Sequence, residues 1–185
     1  MDIVGLDWVA QNRKIRIVLC FLIMVIPVIC GGCNWFAAPE RNDLTTMETA
    51  RITIKGQQVE AWLAVTNEQR TSGLMQVTEE ELTPIPDDAG QAAPGILRGM
   101  LFVFPVEQPL GFWMRNTIIP LDIAYIRRDG VIVNIYTMAP LEIRIYPSVE
   151  PAIFALEVRA GTFAQLGIQP GDHVEIPESV LKATR

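Results

Sequence analysis

Apolar and polar residues alternate along much of this chain with the two-residue period of a strand. In "ARITIKGQQVEAWLAVT", Ile52 and Ile54 alternate with polar neighbours, and Val59, Ala61, Leu63 and Val65 alternate again beyond Gly56. This pattern predicts a β-hairpin. "GMLFVFP", an almost unbroken apolar run, reads as a strand stopped by Pro105. "LGFWMRN" and "IPLDIAYI" predict two more, and Asp129-Gly130 marks a hairpin turn into "VIVNIYTM". "AIFALEVR" is another strand and "GDHVEIP" a short last one. Helical signals are sparse. Thr66 with Gln69 makes a capping box for a short helix that Gly73 is placed to end. "TEEEL", Thr78 to Leu82, offers the same cap for another turn, and "GTFAQLG" is a short helix closed by Gly167. About seven or eight strands with two or three short helices predict a mainly β domain, α+β in detail. Its expected form is an antiparallel β sandwich or a partly closed barrel.

Two segments break the alternation. "TPIPDDAGQAAPG", Thr83 to Gly95, has no period and reads as an exposed loop, either a lid or a tolerated insertion. At the other extreme, "IVLCFLIMVIPVICGG", Ile17 to Gly32, carries no charge and follows Arg13, Lys14 and Arg16. A basic stretch, an apolar stretch and then small residues make the pattern of a secretory signal. The run is shorter than the ~20 residues of a comfortable membrane span, and Pro27 interrupts it. Gly31 and Gly32 ahead of Cys33 resemble a bacterial lipoprotein cleavage site, at which Cys33 would be lipidated. An uncleaved anchor and an ordinary signal peptide are the alternatives. The expected organisation is a signal or lipoprotein segment over 1–33, a tether over 34–48, one β-rich domain over 49–178 and a tail over 179–185. The domain would then sit in the cell envelope, outside the cytoplasm and held to the membrane by its N-terminus.

Charge and cysteine content narrow the function. Residues 1–33 hold three basic and two acidic residues, so the rest of the chain has 12 basic against 19 acidic, a net charge of −7. An acidic domain lacks the electrostatic footprint of nucleic-acid binding. It gives no reason to expect polybasic attachment to anionic lipid either. Cys20, Cys30 and Cys33 all lie in or beside the apolar segment, which leaves a domain without thiol chemistry. Cys30 and Cys33 form a C-x-x-C, but Asn34 stands where a haem site needs His. His173 is the only histidine and has no partner ligands for a metal. No nucleophile elbow, Walker loop or dinucleotide fingerprint is present, and no cofactor is called for.

Candidate chemistry comes from polar residues inside apolar strands. Asp122 interrupts "IPLDIAYI" and Glu157 interrupts "AIFALEVR"; a buried carboxyl must be paired, hydrogen-bonded or protonated. Arg115, Arg70 and Asn116 are the available partners, with Trp113 and Met114 as walls. A pocket of Arg115, Asp122, Glu157 and Arg70 is the functional reading; a buried ion-pair network that fixes strand register is the structural one. Trp62, Phe102, Phe104 and Phe112 read as core, and His173 as an ordinary late-strand residue.

Several of these segments, in order, resemble one family. "GLM" at 73–75, "GMLFVFP" at 99–105, "FWMRNTIIPLDIAYI" at 112–126, "MAPL" at 138–141 and "ALEVRAG" at 155–161 look like the domain of unknown function 192. Gly171 to Val174 matches its "G-x-x-V" ending. The resemblance implies a compact, mainly β domain, often secreted or membrane-tethered, and a site shared on Trp113, Arg115, Asn116, Asp122 and Glu157. It supplies no function. The chain departs from the family pattern where Gln76 and Val77 stand in place of an Arg after "GLM-x", and where Thr83–Arg98 looks like an insertion.

Three readings of function follow, and the balance leans away from an enzyme. The first is an envelope-tethered domain that binds a small polar ligand or a partner protein at Trp113, Arg115, Asn116, Asp122, Glu157 and Arg70. The second is a hydrolase or lyase using Asp122 and Glu157, whose carboxyls must then face one cleft. The third is a structural or assembly module with a sealed polar network.

Overall fold

The computed structural model describes residues 41–90 and 95–182. The signal or anchor expected over 1–33, with Cys20, Cys30 and Cys33, and the first part of the tether, 34–40, fall outside the described residues. In chain order the elements are β1 (Thr49–Ile54), β2 (Gln57–Ala64), α1 (Asn67–Ser72), β3 (Leu97–Gln108), β4 (Gly111–Phe112) and β5 (Leu121–Ile126). They continue with β6 (Ile132–Met138), β7 (Tyr146–Pro147), β8 (Ala152–Arg159), α2 (Thr162–Gln165), β9 (Val174–Glu175) and α3 (Glu178–Lys182). Seven strands make one sheet in the order β6-β5-β8-β3-β2-β1-β9, and β4 pairs with β7 as a separate ribbon. The large sheet curls into a half-barrel, so the mainly β expectation takes its open-barrel form. All its pairs are antiparallel except β2 with β3. None of the described helices is long and apolar enough to cross a membrane.

The apolar pattern follows from where each strand lies. Every residue of β5 is buried, because β6 and β8 flank it and both faces of the sheet are covered. On one face Leu121, Ile123 and Tyr125 pack with Leu74, Val77, Leu110, Met114 and Tyr146 from α1, the ribbon and their connections. On the other, Ala124 and Ile126 join Leu156, Phe163, Ile168 and Val180, the last three from the C-terminal segment with α2 and α3. Leu44 and Val180 are both buried, so the packed chain reaches a few residues beyond either end of 49–178. At Gly99 the chain has no room for a side chain: a Cβ there would lie 2.4 Å from the Glu157 carbonyl oxygen. That glycine lets β3 close onto β8, beside the Glu157 side chain.

Two expected elements take other forms. Of "LGFWMRN" only Gly111–Phe112 is strand. Beyond it Met114 and Ile119 insert into the core and hold the intervening residues as a turn. The Met114 N–H donates to the Glu142 carbonyl at 2.8 Å, the Thr117 N–H to the Met114 carbonyl at 3.0 Å, and Asn116 sits at φ 59. The "GMLFVFP" strand runs on through Pro105 to Gln108 instead of stopping there, whereas "TEEEL" makes the capped turn expected of it, the Thr78 N–H and hydroxyl both donating to the Glu81 carboxylate at 2.9 and 3.0 Å.

Candidate functional site

The capping box at the start of α1 is complete. Gln69 N–H donates to the Thr66 hydroxyl, and the Gln69 side chain accepts from the Thr66 N–H. At the other end Gly73, at φ 47, donates its N–H to the Gln69 carbonyl at 2.8 Å and ends the helix. A Cβ at Gly73 would stand 3.2 Å from the Phe102 ring, so glycine lets the end of α1 settle onto β3. Between this helix end and β3, β4 and β8 lies a cavity of about 380 Å³, open to solvent. That volume is within the ~300–1,000 Å³ typical of small-molecule sites.

Its walls are aromatic. Phe102 and Phe104 come from β3, Phe112 from β4, and Trp113 from the turn that follows. Phe112 meets Phe102 edge-on, with centroids 4.8 Å apart at 86°, and Phe104 at 6.4 Å and 78°. Arg70 also lines the cavity, its guanidinium 5.0 Å from the Phe104 centroid. The guanidinium donates to the carbonyls of Val65 at 2.5 Å and Val103 at 2.8 Å and to Asn67 Oδ1 at 2.5 Å. These bonds pin Arg70 between α1 and β3, and among the described residues it makes no ion pair with a carboxylate.

Glu157 reaches the same cavity from β8. It is 4% exposed, and burial pushes its carboxyl up to about pKa 8, with no hydrogen bond or ion pair among the described residues to offset it. Tyr125 shares this face, but its hydroxyl donates to the Tyr146 carbonyl at 2.5 Å. Burial first, and then the charge of Glu157, raise the Tyr125 pKa. Among the described residues, the Glu157 carboxyl has no protein donor.

Asp122 is a different case. In register it pairs with Thr137 and Val158, whereas Glu157 pairs with Met100 and Ile123. Paired residues point to the same side of a sheet, so the two carboxyls project from opposite faces. Asp122 Oδ1 accepts from the Thr137 hydroxyl at 2.7 Å and Oδ2 from the Phe163 N–H at 3.0 Å, and the residue is 1% exposed. Phe163 lies in the first turn of α2, which has no side-chain cap of its own; Asp122 caps it from the sheet. The acid/base pair of Asp122 and Glu157 expected of a hydrolase or lyase is therefore corrected. A sheet separates them, and no single cleft reaches both.

The other expected site residues divide between the cavity and its surroundings. Arg115 is exposed, with its guanidinium 5.8 Å from the Trp113 ring, and does not meet Asp122, whose bonds go to Thr137 and Phe163. Trp113 is 41% exposed at the cavity rim, while Met114 is fully buried in the core. The Asn116 carbonyl accepts the Gln76 N–H at 3.0 Å and ties the turn to the chain after α1. His173 Nε2 lies 2.7 Å from the Asp129 carbonyl and fastens the β5–β6 turn. Cys33 lies outside the described residues. Unforeseen members of the site are Phe102, Phe104 and Phe112, read from composition as core, and Ser72 and Gly73 at the end of α1. The small residues of "TSG" directly after Arg70 are the one sequence signal that a helix end approaches another surface there.

Residues 50–176 match the family model of domain of unknown function 192, described as an uncharacterized ACR. Among solved structures, a protein of Sinorhizobium meliloti 1021, provisionally described as a transcription regulator, is 33% identical with a TM-score of 0.59. The match covers 70% of this chain and 95% of that one. A protein of unknown function from Novosphingobium aromaticivorans DSM 12444 is 31% identical with a TM-score of 0.60, covering 76% of this chain and 94% of its own. No curated protein matches the chain.

Proposed function

Because the chain belongs to the domain of unknown function 192 family, which brings a fold and no reaction, we propose that it is a binding domain for a small amine-bearing molecule. The observation that carries this reading is the Glu157 carboxyl, buried without a donor at a cavity walled by Phe102, Phe104, Phe112 and Trp113. A desolvated carboxyl gains most from a ligand that brings its own positive charge and hydrogen-bond donors. Aromatic faces accept both the apolar body of such a ligand and the edge of its cation. Arg70 is held by carbonyls and by Asn67, so it leaves Glu157 free for that second cation. The N-terminal run Ile17–Gly32 and Cys33 support a domain tethered to the envelope membrane by a lipid or an uncleaved segment. A regulator that grips DNA is not favoured, since residues 34–185 carry a net charge of −7.

Benzylamine added to the isotope-labelled full chain provides the test. Amide shifts should concentrate at Ser72, Gly73, Phe102, Phe104 and Trp113, with a Kd on the order of 1 mM for so small a probe. They should vanish in Glu157→Leu. Shifts retained in that variant, or centred elsewhere, would refute the site.

A further inference from the structure

The segment between β6 and β8 exposes a row of aliphatic side chains. Leu141 is 60% exposed, Ile143 76%, Ile145 57% and Val149 75%, and Ile118 and Trp113 on the facing turn are 48% and 41% exposed. These residues form one surface. The Leu141 N–H donates to the Thr117 carbonyl, the Met114 N–H to the Glu142 carbonyl, and a Cβ at Gly111 would meet the Ile145 side chain at 2.9 Å. A contiguous exposed apolar patch on a soluble domain marks an interaction surface.

The start of the described chain identifies what covers it. The Arg41 guanidinium donates to the Gln76 carbonyl at 3.1 Å, and the Gln76 N–H donates to the Asn116 carbonyl at 3.0 Å. Asn42 is fixed to the end of α1 through the carbonyls of Gln69 and Gly73, both at 2.9 Å. The chain therefore enters the domain beside the 113–118 turn, at one end of the aliphatic row. Residues 34–40 separate Cys33 from Arg41, a reach of at most about 29 Å even when fully extended. A membrane attachment at or before Cys33 thus holds this end of the domain close to the bilayer.

We propose that the Leu141–Val149 segment, with Ile118 and Trp113, is a membrane-contact face that rests on the lipid surface when the N-terminus is anchored. It rests on the tether reading above and goes beyond it. Five aliphatic side chains and an indole are a weak binding unit alone. A short tether raises their effective concentration at the bilayer to the level at which weak contacts hold. The attraction is apolar rather than electrostatic, because the domain is acidic and Arg144 is already paired with Glu142. Trp113 belongs both to this face and to the cavity rim, so the cavity would open at the membrane surface.

The full chain reconstituted in phosphatidylcholine vesicles, with a diazirine amino acid at Ile143 or at Ser179 on α3, tests this directly. Ser179 is an exposed control, since Val180 of the same helix packs on the opposite face of the sheet. The expected product at 143 is a phospholipid adduct, about tenfold more abundant than at 179 and undiminished by high salt. Ile145→Asp should reduce it several-fold without unfolding an exposed site. Cross-links to a second copy, or to solvent alone, in chains that float with the vesicles would overturn the contact face and leave the anchor standing. Chains that do not float would overturn both.

Discussion

Glu157→Gln is expected to stabilise the protein, and by more as the pH rises. Burial raises the Glu157 carboxyl from 4.5 to about 8 in the folded chain, so between those values the folded state keeps a proton that the unfolded state has lost. Unfolding is then favoured as pH increases, and the stability present below pH 4.5 drains away through pH 8. The variant has nothing to titrate there. Urea denaturation of the two proteins should agree near pH 4 and diverge to on the order of 4 kcal/mol by pH 8.5. Parallel curves would mean that the carboxyl is solvated or paired after all. A residue that weakens the fold at neutral pH, in a central strand, is better explained by what it binds than by what it holds together.

Asp122 should behave in the opposite sense. Asp122→Ala strips the buried Phe163 N–H of its acceptor and the hydroxyl of Thr137, an exposed residue on β6, of its partner. The expected loss is about 3 kcal/mol, from an unsatisfied N–H plus one lost bond. Asp122→Asn should cost far less, about 1 kcal/mol, because the amide oxygen can accept from Phe163 while its nitrogen donates to the Thr137 hydroxyl. Thermal or urea unfolding of both variants measures this. An Asn variant as damaged as the Ala variant would show that the residue does more than accept these two bonds. Neither change should alter binding in the cavity, which lies across the sheet.

These two carboxyls also show how far the sequence could be read. Its two-residue alternation located β1, β2, β5, β6 and β8, and the capping box located α1, because those signals are local. Apolar runs around Asp122 and Glu157 correctly signalled burial. What they could not carry was register: β5 against β8 sets Ile123, not Asp122, opposite Glu157, and only that pairing shows which face each carboxyl takes. Arg115 was a natural partner for Asp122 by proximity in the chain, but the turn at Met114–Asn116 swings it outward. The true partners, Thr137 and the Phe163 N–H, lie 15 and 41 residues away. A backbone N–H as partner leaves no trace in residue type. Phe102 is core, as the sequence reading has it, with Phe104 and Phe112 packed against that core; that they also wall a cavity depends on how far α1 stands off the sheet, which Gly73 and Arg70 decide together.

The central claim is that the polar glue and the polar site are separate: Asp122 locks α2 to one face, and Glu157 waits for a cation on the other. Calorimetric titration of benzylamine at pH 7, repeated in buffers of different ionisation enthalpy, tests it most directly. With the Glu157 carboxyl near 8 before binding and ionised once paired with an ammonium, close to one proton should leave for each ligand bound. Binding without proton release, or with equal affinity in Glu157→Leu, would contradict it.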